Sequence, residues 1–190
     1  TQSNLLKRWF EEKGFKVLLT REPGGTNLGN QLRSILLANE TGEISPRAEA
    51  LMYAADRAHH VYSIVRPALQ DGEVVITDRY LDSSIAYQGA GRVLLPTEVA
   101  RISRWATESL TPILTIILDL PANVGLSRLK GADRLESEPL VFHERVRQEY
   151  LNLANSDPER YLVVDANQDI NEIHKLIIER VSALPFLKKN

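Results

Sequence analysis

Asp78 and Arg79 follow directly on Val74-Val75-Ile76, a β-branched run that suits a strand covered on both faces. An apolar strand ending in a carboxylate and a guanidinium delivers both to the carboxyl edge of a sheet, where open α/β folds bind their ligands. Ser83, Ser84, Tyr87 and Gln88 add hydroxyls and an amide within the next two helical turns, and Gly89 and Gly91 are expected to end that helix in the left-handed conformation glycine adopts freely. Arg21, Arg33 and Arg57 are predicted on the same side of the sheet as Arg79. Any one of these arginines alone reads as a surface ion pair. Four on one edge read as fixed cations around oxygens whose charge shifts during a reaction, which is what phosphoryl transfer requires. Asp78 either holds a magnesium-bound water or pairs with its neighbour, and spacing leaves both open. Tyr53 and Arg57 stand four apart and so share a helix face. Spacing alone makes Tyr53 a core aromatic, and it puts His59 and His60 on a solvated face.

The elements that must position these residues alternate along the chain. Leu5, Leu6, Trp9 and Phe10 mark an opening helix that Gly14 stops, with no strand ahead of it. Lys16 to Thr20 is the first strand, Arg21 to Thr26 a polar turn, and about Asn27 to Leu37 a helix carrying Arg33. Ser45-Pro46 reads as an N-cap followed by proline in the first turn, opening a helix that runs towards Gly72 with Pro67 as a kink or restart. Pro96 to Glu108, Pro121 to Leu129, Leu140 to Ala154 and Ile170 to Leu184 are further helices; Lys130 to Pro139 is a charged loop. Ile113 to Leu120 and Tyr161 to Val164 are apolar strands, the second ending in Asp165-Ala166-Asn167. Strands alternating with helices predict an α/β fold with a parallel, doubly wound sheet.

Composition narrows the chemistry further. With 190 residues, 43% hydrophobic and 25% charged, the chain has the make-up of a single globular domain, 1–190. It has no cysteine, hence no disulfide framework or thiolate metal site, and a reducing, cytoplasmic setting is expected. Its formal charge of -2 argues against nucleic acid as a partner, so any anion must be held locally. No apolar run approaches the roughly 18 residues of a membrane helix, and no signal peptide opens the sequence.

Several motifs occurring in order carry a resemblance that runs almost end to end. Thr20-Arg-Glu-Pro-Gly-Gly-Thr26, Leu51-Met-Tyr-Ala-Ala-Asp-Arg57, Asp78-Arg-Tyr with Ser83-Ser84 and Ala86-Tyr-Gln-Gly89, Asp133-Arg134 before Glu136 and Glu138, and Asp165-Ala166 resemble the bacterial thymidylate kinases of the P-loop nucleoside monophosphate kinase superfamily. The resemblance implies transfer of the γ-phosphate of Mg2+-ATP to dTMP, giving dTDP on the route to dTTP, by a homodimer. It implies that Tyr53 stacks on thymine, that Arg57 hydrogen-bonds the base with Ser84 and Gln88 at its edge, and that Tyr87 lies against the deoxyribose. Pro23, Arg33 and Arg79 join the dTMP site, the two arginines holding its phosphate, while Glu22 and Asp78 order the arginines and a magnesium-bound water. Arg128, with Asp165 and Ala166, falls to the ATP side, and Arg134 to a short lid at about 128–139.

Two departures from that pattern bear on the expected fold. The glycine-rich phosphate loop G-x-x-x-x-G-K-[ST] and the strand before it are not found in these residues, and Thr1-Gln2-Ser3 resembles the start of the helix that follows such a loop. The expectation is therefore a P-loop kinase sheet with its first strand and phosphate loop absent, a doubtful activity for these residues alone, and further residues ahead of Thr1 in the natural chain. In the lid, Lys130 offers a point charge where relatives carry arginines. Alternatives are a nucleotide-binding module without catalysis, and a deoxynucleoside kinase, against which TREPGGT and AYQG argue together.

Overall fold

A computed structural model describes residues 1–129 and 131–187; Lys130, expected to substitute for a lid arginine, lies outside them. Four short strands, β1 (Val17–Arg21), β2 (Val74–Asp78), β3 (Thr115–Asp119) and β4 (Tyr161–Asp165), occupy the predicted apolar runs, each within a few residues of its expected ends. β1 pairs in parallel with β2 from Val17↔Val74 to Arg21↔Asp78, and β3 with β4 from Thr115↔Tyr161 to Asp119↔Asp165. Among the described residues these are two two-stranded parallel sheets, not the single doubly wound sheet expected.

Side chains, not backbone bonds, unite the two pairs. Val17, Val74, Ile76, Ile116 and Leu162 converge on one core with Leu6 and Phe10 of α1 (Gln2–Glu12) and Ile173, Ile177 and Val181 of α9 (Ile170–Ser182). Successive strand residues point to opposite faces, so Ile117 turns away from that core to meet Leu153 and Ala154 of α8 (Leu140–Ser156). Helices thus pack on both faces of β3 and β4, but coverage is less complete than the β-branched runs suggest: no residue of β1 or β2 is fully buried, and Leu118 and Val163 are exposed.

Two helices carry most of the polar site. Thr26 caps α2 (Asn27–Leu37), its hydroxyl accepting from Gly29 N–H at 2.8 Å. Ser45 caps α3 (Pro46–His60), with Pro46 in the first turn where its missing N–H costs nothing. The helix does not break at Pro67. It widens one turn earlier, over Val61–Val65, where Arg66 N–H reaches back five residues to Val61, and it continues as α4 (Arg66–Gln70). Such a π turn shifts the bonding register ahead of a residue that has no N–H to give.

After β2, α5 (Leu81–Ser84) runs into a second π turn, Ile85–Gly91. Gly89 and Gly91 lie within this turn and have no positive φ, contrary to the expected left-handed cap. Close packing is the reason for glycine here: a Cβ on Gly91 would stand 2.7 Å from Phe142 Cε2 and 3.0 Å from Val146 Cγ2. α6 (Pro96–Ala106) and α7 (Ala122–Ser127) complete the helical set, and no helix among the described residues is long and apolar enough to cross a membrane. Gly91→Ala should therefore overpack the α8 contact and destabilise the protein by about 1–3 kcal/mol; an unchanged melting temperature would show that Phe142 yields without cost.

Candidate functional site

The carboxyl ends of β1 and β2 meet α3 at a buried cluster of charge. Leaving β1, the chain makes a cis peptide at Glu22-Pro23 and turns through Gly24 and Gly25 into α2. Glu22 is 2% exposed, and both of its oxygens are taken from below. Arg57 Nε donates to Oε2 at 2.7 Å, and His60 Nδ1 lies 2.9 Å from Oε1. Arg57, equally buried, also donates to Ser84 Oγ at 3.1 Å and, at 3.4 Å, to Ser103 Oγ and the Tyr80 carbonyl. Four of the five N–H groups of a guanidinium are then occupied, which leaves one on Nη1.

Asp56, next to Arg57 on α3, accepts from Gly24 N–H through Oδ1 at 3.1 Å while its buried Oδ2 has no partner among the described residues. Burial drives its pKa up to about 6, against the Gly24 bond that pulls it down. Above this cluster Arg33 Nη1 donates to the Pro23 carbonyl at 3.0 Å. Arg21 flanks Gly24 with Arg33, so the turn is lined by cations.

One helical turn or more towards the start of α3, Glu49 forms a second buried centre. It accepts from Gln88 Nε2 at 3.0 Å, from Arg92 Nε and Nη2 at 3.1 and 3.0 Å, and from Arg134 Nη2. Desolvation pushes this carboxyl up, but the bonds from Arg92, Gln88 and Arg134 outweigh it and hold the pKa below the usual carboxylate range. Arg134 further donates to the Leu36 carbonyl at 2.8 Å, and Arg92 also pairs with Glu138. Tyr53 sits in the core with Leu36, Ala86, Phe142 and Tyr87, within electrostatic reach of Glu49, Arg79 and Arg134.

Beyond β2, Arg79 adopts a left-handed backbone, φ 67°, and lays its guanidinium 4.8 Å from the centre of the Tyr87 ring. Its Nη2 is 3.3 Å from the Tyr87 hydroxyl. Both residues border a cleft of about 330 Å³ between β3, α7 and α8, to which Asp119, Arg147 and Tyr150 also contribute. Asp78 lies exposed at the strand end, aligned with Arg21, and has no ion pair among the described residues. At the end of β4, Arg128 donates to the Ala166 carbonyl at 3.4 Å and to Asn167 Oδ1 at 3.1 Å, which groups Arg128 with Asp165 and Ala166.

The structure thus gathers the predicted residues into four groups, Glu22, Pro23, Arg33, Arg57 and Ser84; Tyr53, Gln88 and Arg134 around Glu49; Arg79 with Tyr87; and Arg128 beside Asp165 and Ala166, with Asp78 standing apart. Glu22 pairs with Arg57 and His60, not with Arg33 or Arg79. His60, expected on a solvated face, is fully buried. Sequence reasoning also missed Glu49, Asp56 and Arg92, although Glu49, Tyr53, Asp56, Arg57 and His60 recur with the period of a core-facing helix stripe.

Parallel strands between helical layers, with arginines and a glycine-bearing turn at their carboxyl edge, define an α/β protein built to hold phosphate oxygens. The family model described as Thymidylate kinase matches residues 1–177. A thymidylate kinase of Clavibacter michiganensis subsp. michiganensis is 56% identical over 188 residues, 97% of this chain and 89% of the relative. One of Leifsonia xyli subsp. xyli is 58% identical over 177 residues, covering 91% and 83%. The crystal structure of a thymidylate kinase from Ehrlichia chaffeensis superposes with a TM-score of 0.77 at 29% identity, covering 95% of this chain and 89% of that one.

The chain belongs to the thymidylate kinase family, whose reaction is the ATP-dependent phosphorylation of dTMP to dTDP. That match corrects the expected fold class: the family pattern is met from residue 1 to residue 177, so a fold with its first strand and phosphate loop absent does not stand, nor does the doubt about activity drawn from it. Membership implies a mechanism dependent on ATP and Mg2+, with dTMP as acceptor.

The Asp56 carboxyl gives a pH-dependent prediction. Because its pKa is raised in the folded state, to about 6 from 3.8, the folded protein binds this proton more tightly than the unfolded chain. The contribution to stability is full below pH 4 and is lost as pH rises through 6, about 3 kcal/mol in all. Asp56→Asn keeps an oxygen for Gly24 without the charge, so its stability relative to the parent should climb between pH 4 and 7. A pH-independent difference in denaturant unfolding would show that Asp56 is not so perturbed.

Proposed function

We propose that phosphorylation of dTMP is carried out at the carboxyl edge of β1 and β2, with the nucleotide between the 21–26 turn, α3 and the 84–91 turn. The observation that carries this reading is Arg79, set at the end of β2 in a left-handed conformation with its guanidinium fixed on Tyr87. Arg79 and Arg33 grip the acceptor phosphate, Arg33 from the Pro23 carbonyl. Two planar forks can bind phosphate oxygens bidentately and stabilise charge as it moves between them.

Tyr53 stacks on the thymine, and the remaining Nη1 proton of Arg57 reaches its edge, with Ser84 and Gln88 beside it. Tyr87 closes the sugar side, where a ribose 2′-hydroxyl would be crowded and unpaired. Glu22 orders this site through Arg57. The ATP base lies against Arg128, Asp165 and Ala166, which are grouped by the Arg128 bonds. Residues 1–190 form one kinase domain whose lid, 128–139, brings Arg134 to the phosphates.

The donor set suits Mg2+, which takes one or two carboxylates and completes its octahedron with water and phosphate oxygens. Asp78, exposed and without an ion pair among the described residues, would hold it through water, and the ion would neutralise charge on the bridging phosphate oxygens. Arg79→Lys keeps the charge and loses the fork. It should lower kcat by roughly tenfold or more with little change in melting temperature; normal turnover, or a loss explained by unfolding, would remove Arg79 from the chemistry.

The cytoplasmic setting and the homodimer belong to the same proposal. A stripe of Leu51, Ala55, Ala58 and Tyr62 runs along the outer face of α3 and its π turn, with Leu51 and Tyr62 exposed, and α6 adds the exposed Trp105. Apolar side chains gathered on one face suit burial against a second copy. Light scattering at micromolar concentration should give twice the chain mass, and Leu51→Glu should shift it towards the monomer. A monomeric parent protein would exclude the dimer.

A further inference from the structure

His60, a member of the α3 cluster, has no part in the reading above, yet it supports the 20–26 turn at three points. Its Nδ1 lies 2.9 Å from Glu22 Oε1, and its Nε2 2.7 Å from Thr20 Oγ1. A carboxylate only accepts, so Nδ1 carries a proton, and Nε2 is left to the Thr20 hydroxyl. The third point is Gly25, φ +80°, where a Cβ would stand 3.0 Å from Nε2 and 2.8 Å from Thr20 Oγ1. Gly25 therefore passes close to the Nε2–Cδ2 edge of the imidazole, and none of the ring is exposed.

The geometry of α3 gives this contact a consequence for the site. Asp56, Arg57 and His60 lie within a turn or so of one another. They hold Gly24 N–H, Glu22 Oε2 and Glu22 Oε1 respectively. Without His60, the Glu22 carboxylate keeps one partner and is free to rotate about its side-chain bonds. Arg57 keeps its Nη bonds to Ser84, Ser103 and the Tyr80 carbonyl, but the carboxylate that sets the Nε side of its guanidinium is no longer held in place.

We propose that His60 is a positioning residue for dTMP: through the Nδ1 bond to Glu22 it fixes the Arg57 guanidinium and the 22–26 turn, while touching no substrate itself. This rests on the site reading above. Its specific content is that the Glu22 side of the ring matters and the Thr20 side does not.

Isosteric amides separate the two sides. His60→Asn places an N–H near the position of Nδ1, and His60→Gln places one near Nε2. In steady-state assays of the full chain with ATP and dTMP, His60→Gln and His60→Ala should raise the KM for dTMP about tenfold, the scale of a lost hydrogen bond to a charged group. The KM for ATP should stay within about twofold, because the displaced groups lie on the acceptor side. His60→Asn should restore most of the dTMP KM.

Equal losses in the Asn and Gln variants, KM values for dTMP and ATP rising together, or a normal dTMP KM in His60→Ala would each overturn the proposal. Should His60→Ala not fold, the Asn and Gln pair still decides it. Arg33→Ala is the control for the underlying reading. If that variant leaves the dTMP KM unchanged, the site reading fails; if it raises the KM while the His60 variants do not differ, only the positioning role of His60 fails.

Discussion

The ion pair between Arg57 and Glu22, at 2.7 Å with both side chains almost wholly out of solvent, is the constraint on which the site depends. Removing two charges from water costs several kcal/mol per ion, and attraction offsets that only when the remaining donors and acceptors are also met. Here all but one Nη1 proton are met, by four groups from three parts of the chain: His60 on the same helix, the Tyr80 carbonyl and Ser84 beyond β2, and Ser103 on α6. The pair therefore ties the end of β1 to three helical segments. Loss of either partner would strand a charge in the interior, at about 3–5 kcal/mol. An Arg57 substitution consequently reports on folding as well as on the ligand, and its binding effect can be interpreted only beside a melting curve.

Glu49 applies the same physics two turns earlier on α3. With Arg92, Arg134 and Gln88 it joins the helix to the 85–91 turn and to the segment before α8. α3 is thus inverted relative to an ordinary amphipathic helix. Its buried stripe carries Glu49, Tyr53, Asp56, Arg57 and His60, and its outward stripe carries Leu51 and Ala55 and continues to Tyr62 in the π turn. Two local charge clusters inside a fold of net charge -2 are consistent with anion binding that depends on placement and not on overall field.

That inversion marks where sequence reading succeeds and where it stops. The strands are legible because Val74-Val75-Ile76 and Ile116-Ile117 admit few other structures, and the start of α3 because Ser45 is a side-chain cap ahead of a proline. His60 beside His59 reads as solvated, whereas its burial depends on Glu22, 38 residues away. The pairing of strands likewise depends on helices distant in sequence, and the π turns at 61–65 and 85–91 leave no compositional trace. Gly91 reads in the sequence as a residue of free backbone, but what requires it is a phenylalanine on α8. Of the site, single residues were legible from their motifs; the connections among them, which run through Glu22 and Glu49, were not.

Arg79 shows how such connections become preorganisation. A non-glycine residue in the left-handed region costs about 1–2 kcal/mol, so something must hold it there. The Thr77 hydroxyl donates to the Arg79 carbonyl at 2.8 Å, fixing the backbone, and the Tyr87 ring takes up the guanidinium at 4.8 Å. Tyr87 is in turn wedged edge-on against Phe142 and Tyr150, and the Tyr150 hydroxyl donates to Ser83 at 2.7 Å. The strained residue is therefore buttressed from α8 across to the segment that follows it. An arginine held in this way keeps its direction without a ligand, so less ordering remains to be done when a phosphate arrives. If a relaxed backbone were substituted there, the charge would survive and the direction would not.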